Sequence, residues 1–174
     1  YYQSILGWRV MELRTHQSEI IDRARGSFLA GKRRVIIQAS TGAGKTVIAA
    51  SIASAAVDKG GKILFLCHRR ELCYQARDRF EAFGLTVGLI LAGEKPDLAQ
   101  KIQIATIQTY SRRIALVDQN DVAMWVHDAN LIIVDECHTG ISPTYQKVLL
   151  ELYENNYCLG LTATPCRGDG KGLG

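Results

Sequence analysis

Short runs rich in Ile, Leu and Val recur at Val35–Gln38, Ile63–Cys67, Val87–Leu91, Ile102–Ala105, Leu131–Asp135 and Tyr157–Leu161. None alternates cleanly between apolar and polar residues, so each predicts a strand covered on both faces. Between these runs the apolar spacing changes to the helical period. Thr15 is the predicted cap of a first helix, in which Ile20, Ile21, Ala24 and Phe28 share a face and Gly31 is the stop. The segment from Gly44 to Lys59 is nearly apolar all round, which predicts a buried helix ending at Gly60-Gly61. Leu72, Ala76, Phe80 and Phe83 form one stripe of a third helix that stops at Gly84. Ser142-Pro143 starts another, bearing Tyr145, Val148, Leu149 and Leu152. Residues 106–128 read as helical and Gly93–Gln100 as loop. Strands alternating with helices predict an open α/β fold, a mainly parallel sheet with helices on both faces.

The longest nearly apolar stretch, Val47–Val57, is eleven residues long and contains two serines. A membrane helix needs about twenty, so no span is predicted. Nor does a basic stretch followed by an apolar run open the chain, as a secretory signal would. With 174 residues, 47% apolar and 22% charged, the composition is that of one globular domain and excludes a disordered or fibrous chain. Residues 1–10 precede Met11 and read as a separate N-terminal segment, appended or native, with the domain proper over 11–174. The net charge of +4 tolerates a polyanionic partner without demanding one. Cys67, Cys73, Cys137, Cys158 and Cys166 are odd in number and contain no Cys-x-x-Cys pair. That spacing argues against structural zinc and a disulfide framework, and for a reducing, cytoplasmic setting.

The chemistry begins after the first strand, at Ala39-Ser-Thr-Gly-Ala-Gly-Lys-Thr46. The strict phosphate-loop pattern has Gly where this chain has Ala39, but Gly44-Lys45-Thr46 is intact and opens a helix directly after a strand. Ser40, Thr41, Gly42, Ala43 and Gly44 can curl so that successive N–H groups face phosphate oxygens, and the helix N-terminus adds partial positive charge. Lys45 then reaches the β and γ phosphates of ATP, and the Thr46 hydroxyl is a ligand for Mg²⁺. Farther along, Leu131-Ile-Ile-Val-Asp135-Glu136 delivers two carboxylates at the end of a buried strand. In open parallel sheets that edge is where ligands bind. Asp135 suits the Mg²⁺ ion, mainly through water, and Glu136 suits the polarisation of a water that attacks the γ phosphate.

These residues carry a resemblance. Asp135-Glu136-Cys137-His138 resembles the DECH form of motif II in superfamily 2 helicases, and Ala39–Thr46 resembles that superfamily's motif I, in which Ala is common at the first position. Thr162-Ala-Thr-Pro165 is similar to motif III, and Leu13-Arg-Thr-His-Gln17 to the glutamine-bearing segment that recognises adenine. The stretch from Gly160 to Gly172 looks like the branch of restriction-enzyme translocating subunits and repair helicases more than the RNA-directed DEAD-box group. The resemblance implies a RecA-like phosphate-loop NTPase lobe, the N-terminal half of a two-lobed motor. A second lobe, absent from the chain, would supply an arginine finger and half of the nucleic-acid track.

Site assignments follow from the same resemblance. Gln17 meets the adenine edge, since an amide offers donor and acceptor together, and Arg14 lies against the base or a phosphate. His138 links the ATP side to Thr162 and Thr164. Cys67-His-Arg-Arg-Glu-Leu72 resembles motif Ia, which puts Arg69 on a nucleic-acid phosphate, and Thr106 occupies the corresponding place at another strand end. Lys32-Arg33-Arg34 and Arg112-Arg113 are expected to be exposed faces. With no aromatic row for stacking bases, backbone tracking is the expected mode; the family resemblance implies DNA in preference to RNA. A phosphate-loop kinase acting on a small molecule would have no need of Thr162–Pro165. Intact Lys45, Asp135 and Glu136 argue against a non-hydrolysing interaction module.

Overall fold

A computed structural model describes residues 13–114, 128–139 and 156–164. All six predicted strands are present: β1 (Arg34–Gln38), β2 (Ile63–Cys67), β3 (Val87–Ile90), β4 (Ile102–Thr106), β5 (Leu131–Val134) and β6 (Tyr157–Thr162). They form one sheet in the order β1-β6-β5-β2-β4-β3, and every neighbouring pair is parallel. The helices described are α1 (Thr15–Leu29), α2 (Lys45–Asp58), α3 (Arg70–Ala82) and α4 (Ile107–Ile114), with a 3₁₀ turn over Cys137–Thr139.

Strand β2 shows why the apolar runs do not alternate. Ile63, Phe65 and Cys67 join a core with Ile21 of α1, Ile48 of α2 and Phe80 of α3, where Phe65 and Phe80 meet edge-on at 5.3 Å. Leu64 and Leu66 face the other way, into a second core with Ile107 and Tyr110 of α4. Helices therefore cover both faces, as predicted, and each large apolar side chain so buried contributes about 1.5–3 kcal/mol. Helix α2 has its Ile48, Ala49, Ala50 and Ala53 buried, and contacts both α1 and α3, which accounts for its lack of a polar face.

Boundaries differ where pairing or capping decides them. Strand β6 runs on to Thr162 because Gln38 pairs with it, and β4 reaches Thr106 because Cys67 does. The cap of α1 is Arg14, not Thr15. Arg14 is extended (φ −67°, ψ 150°), and its N–H donates to Gln17 Oε1 at 3.0 Å. A glutamine at the third helical position has reached back to satisfy the preceding backbone, so Thr15 is drawn into the first turn. Helix α4 takes up the first part of the segment read as helical over 106–128. The helix expected after Ser142-Pro143 lies outside the described residues.

The consequence for the site is topological. All six C-terminal strand ends open on one edge of the sheet. Because β6 lies between β1 and β5, the loop after β1 and the turn after β5 meet across the end of β6.

Candidate active site

The loop after β1 is tied down at both ends. The Ala39 N–H donates to Thr162 O at 2.9 Å, and the Ala43 N–H to Ser40 O at 3.1 Å. Gly44 sits at φ +84° as the cap of α2, and a Cβ there would fall 2.4 Å from Gln17 Nε2. The left-handed backbone is what requires glycine; a Cβ would in addition press on the end of the Gln17 side chain. Gln17 is buried and donates from Nε2 to Ala43 O at 2.9 Å, while His16 Nε2 lies 3.4 Å from the same carbonyl. The adenine-recognition candidate is thus bonded to the phosphate-loop candidate. Ser40, Thr41 and Gly42 are exposed at the tip; Thr46 is half-buried in the first turn of α2.

Lys45 folds back over the loop. Its Nζ lies 3.5 Å from Ala39 O and 3.3 Å from Glu136 Oε1, with the side chain 10% exposed. The turn after β5 begins with the Asp135 N–H bonded to Leu66 O at 2.9 Å, and Asp135 Oδ1 accepts the Glu136 N–H at 3.1 Å. Burial, reinforced by the charge of Glu136, pushes the Asp135 carboxyl above its ordinary value; Lys45 and His68 oppose the shift. Glu136 has φ +49°, the one positive value at a non-glycine among the described residues. That conformation costs roughly 1–2 kcal/mol, and it places the carboxylate between Lys45 and His138 Nδ1, which lies 3.3 Å from Oε2.

His138 Nδ1 is also 3.0 Å from Thr162 Oγ1. The Thr162 hydroxyl donates to Thr164 O at 2.8 Å and accepts the Thr164 N–H at 3.0 Å. With the hydroxyl proton committed to Thr164, Nδ1 is left as the donor to Oγ1, which fixes the tautomer of neutral His138.

The structure therefore gathers Lys45, Asp135, Glu136, His138, Thr162 and Thr164 at the edge, with Gln17 joined through Ala43. Arg14 is exposed beside them; its N–H bonds Gln17 Oε1 and its carbonyl accepts the Gln17 and Ser18 N–H groups. Arg69 and Thr106 lie apart, at the ends of β2 and β4. Arg69 is exposed and caps α3. Thr106 is buried, its hydroxyl donating to Thr109 Oγ1 at 2.8 Å and accepting the Thr109 N–H at 3.3 Å. Arg113 departs from the expected exposed face: it is half-buried and donates to Leu91 O and Glu94 O, both at 2.9 Å. Both bonds come from one guanidinium nitrogen, Nη2, whose two protons reach two carbonyls of one loop, and a basic doublet gives no sign of which member will do this.

The donors present fit a nucleotide-borne Mg²⁺ ion. One carboxylate at the strand end and one hydroxyl at the helix start are the hard oxygen ligands such an ion takes, the rest coming from water and phosphate. Among the described residues no group of three or more His, Cys, Asp or Glu could hold a metal unaided, and no helix is long and apolar enough to cross a membrane.

The chain belongs to the family described as type III restriction enzyme, res subunit, whose model matches residues 10–167. It is 31% identical over 147 residues to the putative ATP-dependent helicase IRC3 of Saccharomyces cerevisiae, a match covering 79% of this chain and 20% of the yeast protein. It is 30% identical over 144 residues to the type I restriction enzyme EcoKI endonuclease subunit of Escherichia coli, covering 77% of this chain and 12% of that one. The helicase domain of Pyrococcus furiosus Hef superposes with a TM-score of 0.70 at 26% identity, over 87% of this chain and 33% of its own. The resemblance to superfamily 2 helicases, and to their restriction-subunit branch, is borne out. The chain spans 20% of the yeast relative and 12% of the bacterial one.

Proposed function

We infer that this member of the restriction-subunit family, over residues 11–174, is the N-terminal ATP-binding lobe of an ATP-dependent helicase or translocase. Its motor would work on nucleic acid, DNA in preference to RNA, with a second RecA-like lobe closing over the site, in a cytoplasmic setting. The observation that carries the reading is the Lys45–Glu136–His138–Thr162 chain of contacts, which joins the loop after β1, the turn after β5 and the end of β6.

Mg²⁺ bound with ATP would supply charge neutralisation between the β and γ phosphates, with Thr46 and Asp135 as its protein ligands. Lys45, now neutralised by Glu136, would exchange that carboxylate for phosphate oxygens. Glu136 would then be released to accept a proton from the attacking water. His138, with Nδ1–H shared between Thr162 and Glu136, would sense that release and pass it to Thr164. Gln17, through Ala43, would connect the base to the loop, with Arg14 beside it.

Glu136→Gln tests the reading in the full-length protein. The amide keeps shape and hydrogen bonding yet accepts no proton, so ATP and Mg²⁺ should bind with near-parental affinity while turnover is lost. Equal loss of nucleotide affinity and turnover would make Glu136 a structural ligand and remove the base from the mechanism.

The nucleic-acid side rests on Arg69, exposed where α3 begins. Arg69→Ala is expected to weaken binding by a similar factor for every sequence and to lower the salt slope by about one. Binding isotherms over a salt series measure both, and an unchanged slope would return Arg69 to a solvated face.

A further inference from the structure

The turn from Asp135 to His138 meets β6 at two places. One is the hydrogen bond between His138 and Thr162 described above. The other has no polar atom in it. A Cβ built on Gly160 would lie 2.9 Å from Cys137 Sγ and 3.2 Å from Cys137 Cβ. The cysteine side chain therefore fills the space that any side chain at position 160 would need. The backbone of Gly160 is not left-handed, and it pairs in register with Ile36 on one side and Val134 on the other. Close approach, not conformation, is what makes glycine necessary here. Cys137 packs against the apolar core beneath α4, and burial with the neighbouring Glu136 charge pushes its thiol up to about 11. An uncharged thiol in such a place behaves as a small apolar group.

Glu136 stands immediately before this contact, in its left-handed conformation. A residue in so sparse a region persists only when its surroundings over-determine it. We propose that Cys137 seated in the Gly160 notch is the clamp that, with the His138–Thr162 bond, holds Glu136 in that conformation. Gly160 and Cys137 are then positioning residues for the carboxylate that polarises the attacking water. The proposal rests on the role of Glu136 inferred above.

Its test is a double-mutant cycle in the full-length protein, reading kcat, KM, nucleotide affinity and thermal melting for each variant. Gly160→Ala is expected to lower kcat by up to about a hundredfold, the scale of a misplacement near 1 Å. Nucleotide affinity should stay within a few-fold, because the loop that meets the phosphates is not displaced. Cys137→Ala removes the knob and leaves the notch, so it should lose less. The pair together should turn over about tenfold faster than Gly160→Ala alone, since only the 3.2 Å Cβ contact is left to absorb. Should Gly160→Ala fail to fold, Cys137→Val overfills the same notch from the other side and should show the same loss of kcat at constant affinity. A folded Gly160→Ala enzyme with parental kcat, or a double variant as slow as the single, overturns the clamp. Glu136→Gln separates the two readings: if it keeps turnover, the role of Glu136 itself falls; if it loses turnover while Gly160→Ala does not, only the clamp falls.

Discussion

Lys45→Ala in the full-length protein is expected to lower steady-state ATP turnover by at least about a hundredfold, the scale on which one preorganised donor to a developing charge is felt. The ammonium is held at the centre of the site, within 3.5 Å of the Ala39 carbonyl and 3.3 Å from Glu136. It belongs to neither apolar core, so the substitution removes charge without opening a core cavity. Circular dichroism and the melting temperature should stay close to the parent. Turnover within a few-fold of the parent would mean that another cation faces the γ phosphate, and the assignment of the loop after β1 would be lost.

That this lysine could be singled out from sequence reflects what kind of information the site uses. The loop from Ala39 to Thr46 is continuous in the chain, and its strand, glycines and helix start are all local patterns. The same holds for Asp135-Glu136 after β5. The sheet was legible for a related reason: residues 63–67 are buried throughout and read as one apolar run, as strands covered on both faces do. What stayed hidden depends on which strands become neighbours. The notch at Gly160 has no meaning until β6 lies against β5 and brings Cys137 over it. Cys137 and His138 stand in a motif of the turn and Thr162 in another at the end of β6, but neither motif shows that Cys137 meets Gly160.

Thr106, the phosphate-contact candidate at the end of β4, is buried, and its hydroxyl is bonded to Thr109 at the start of α4. Polar residues at strand-to-helix junctions serve ligands or serve the helix, and only the orientation of the hydroxyl separates the two. Gln17 belongs to both groups. It caps the backbone of Arg14 and supports Ala43 of the loop, so one residue joins the start of α1 to the loop after β1.

Residues 1–174 produced alone are expected to fold and yet to hydrolyse ATP at most negligibly, with or without nucleic acid. Folding needs only the two cores on either side of the sheet, and both are assembled from elements within the chain. Binding of nucleotide should survive in weak form, because Lys45, Thr46, Asp135 and Glu136 all come from this lobe. Turnover requires in addition a charge that stabilises the transferring phosphoryl group. In enzymes of this chemistry an arginine finger contributes about 10³–10⁵ in rate, and under the two-lobe reading that arginine comes from outside these residues. Arg14 is an exposed cation near the loop, its N–H bonded to Gln17, which in turn bonds Ala43. A turnover assay on the isolated chain, with Lys45→Ala and Arg14→Ala as controls, decides the matter. Robust hydrolysis that depends on Lys45 and rises with nucleic acid would show that one lobe suffices, and the two-lobe mechanism would have to be abandoned.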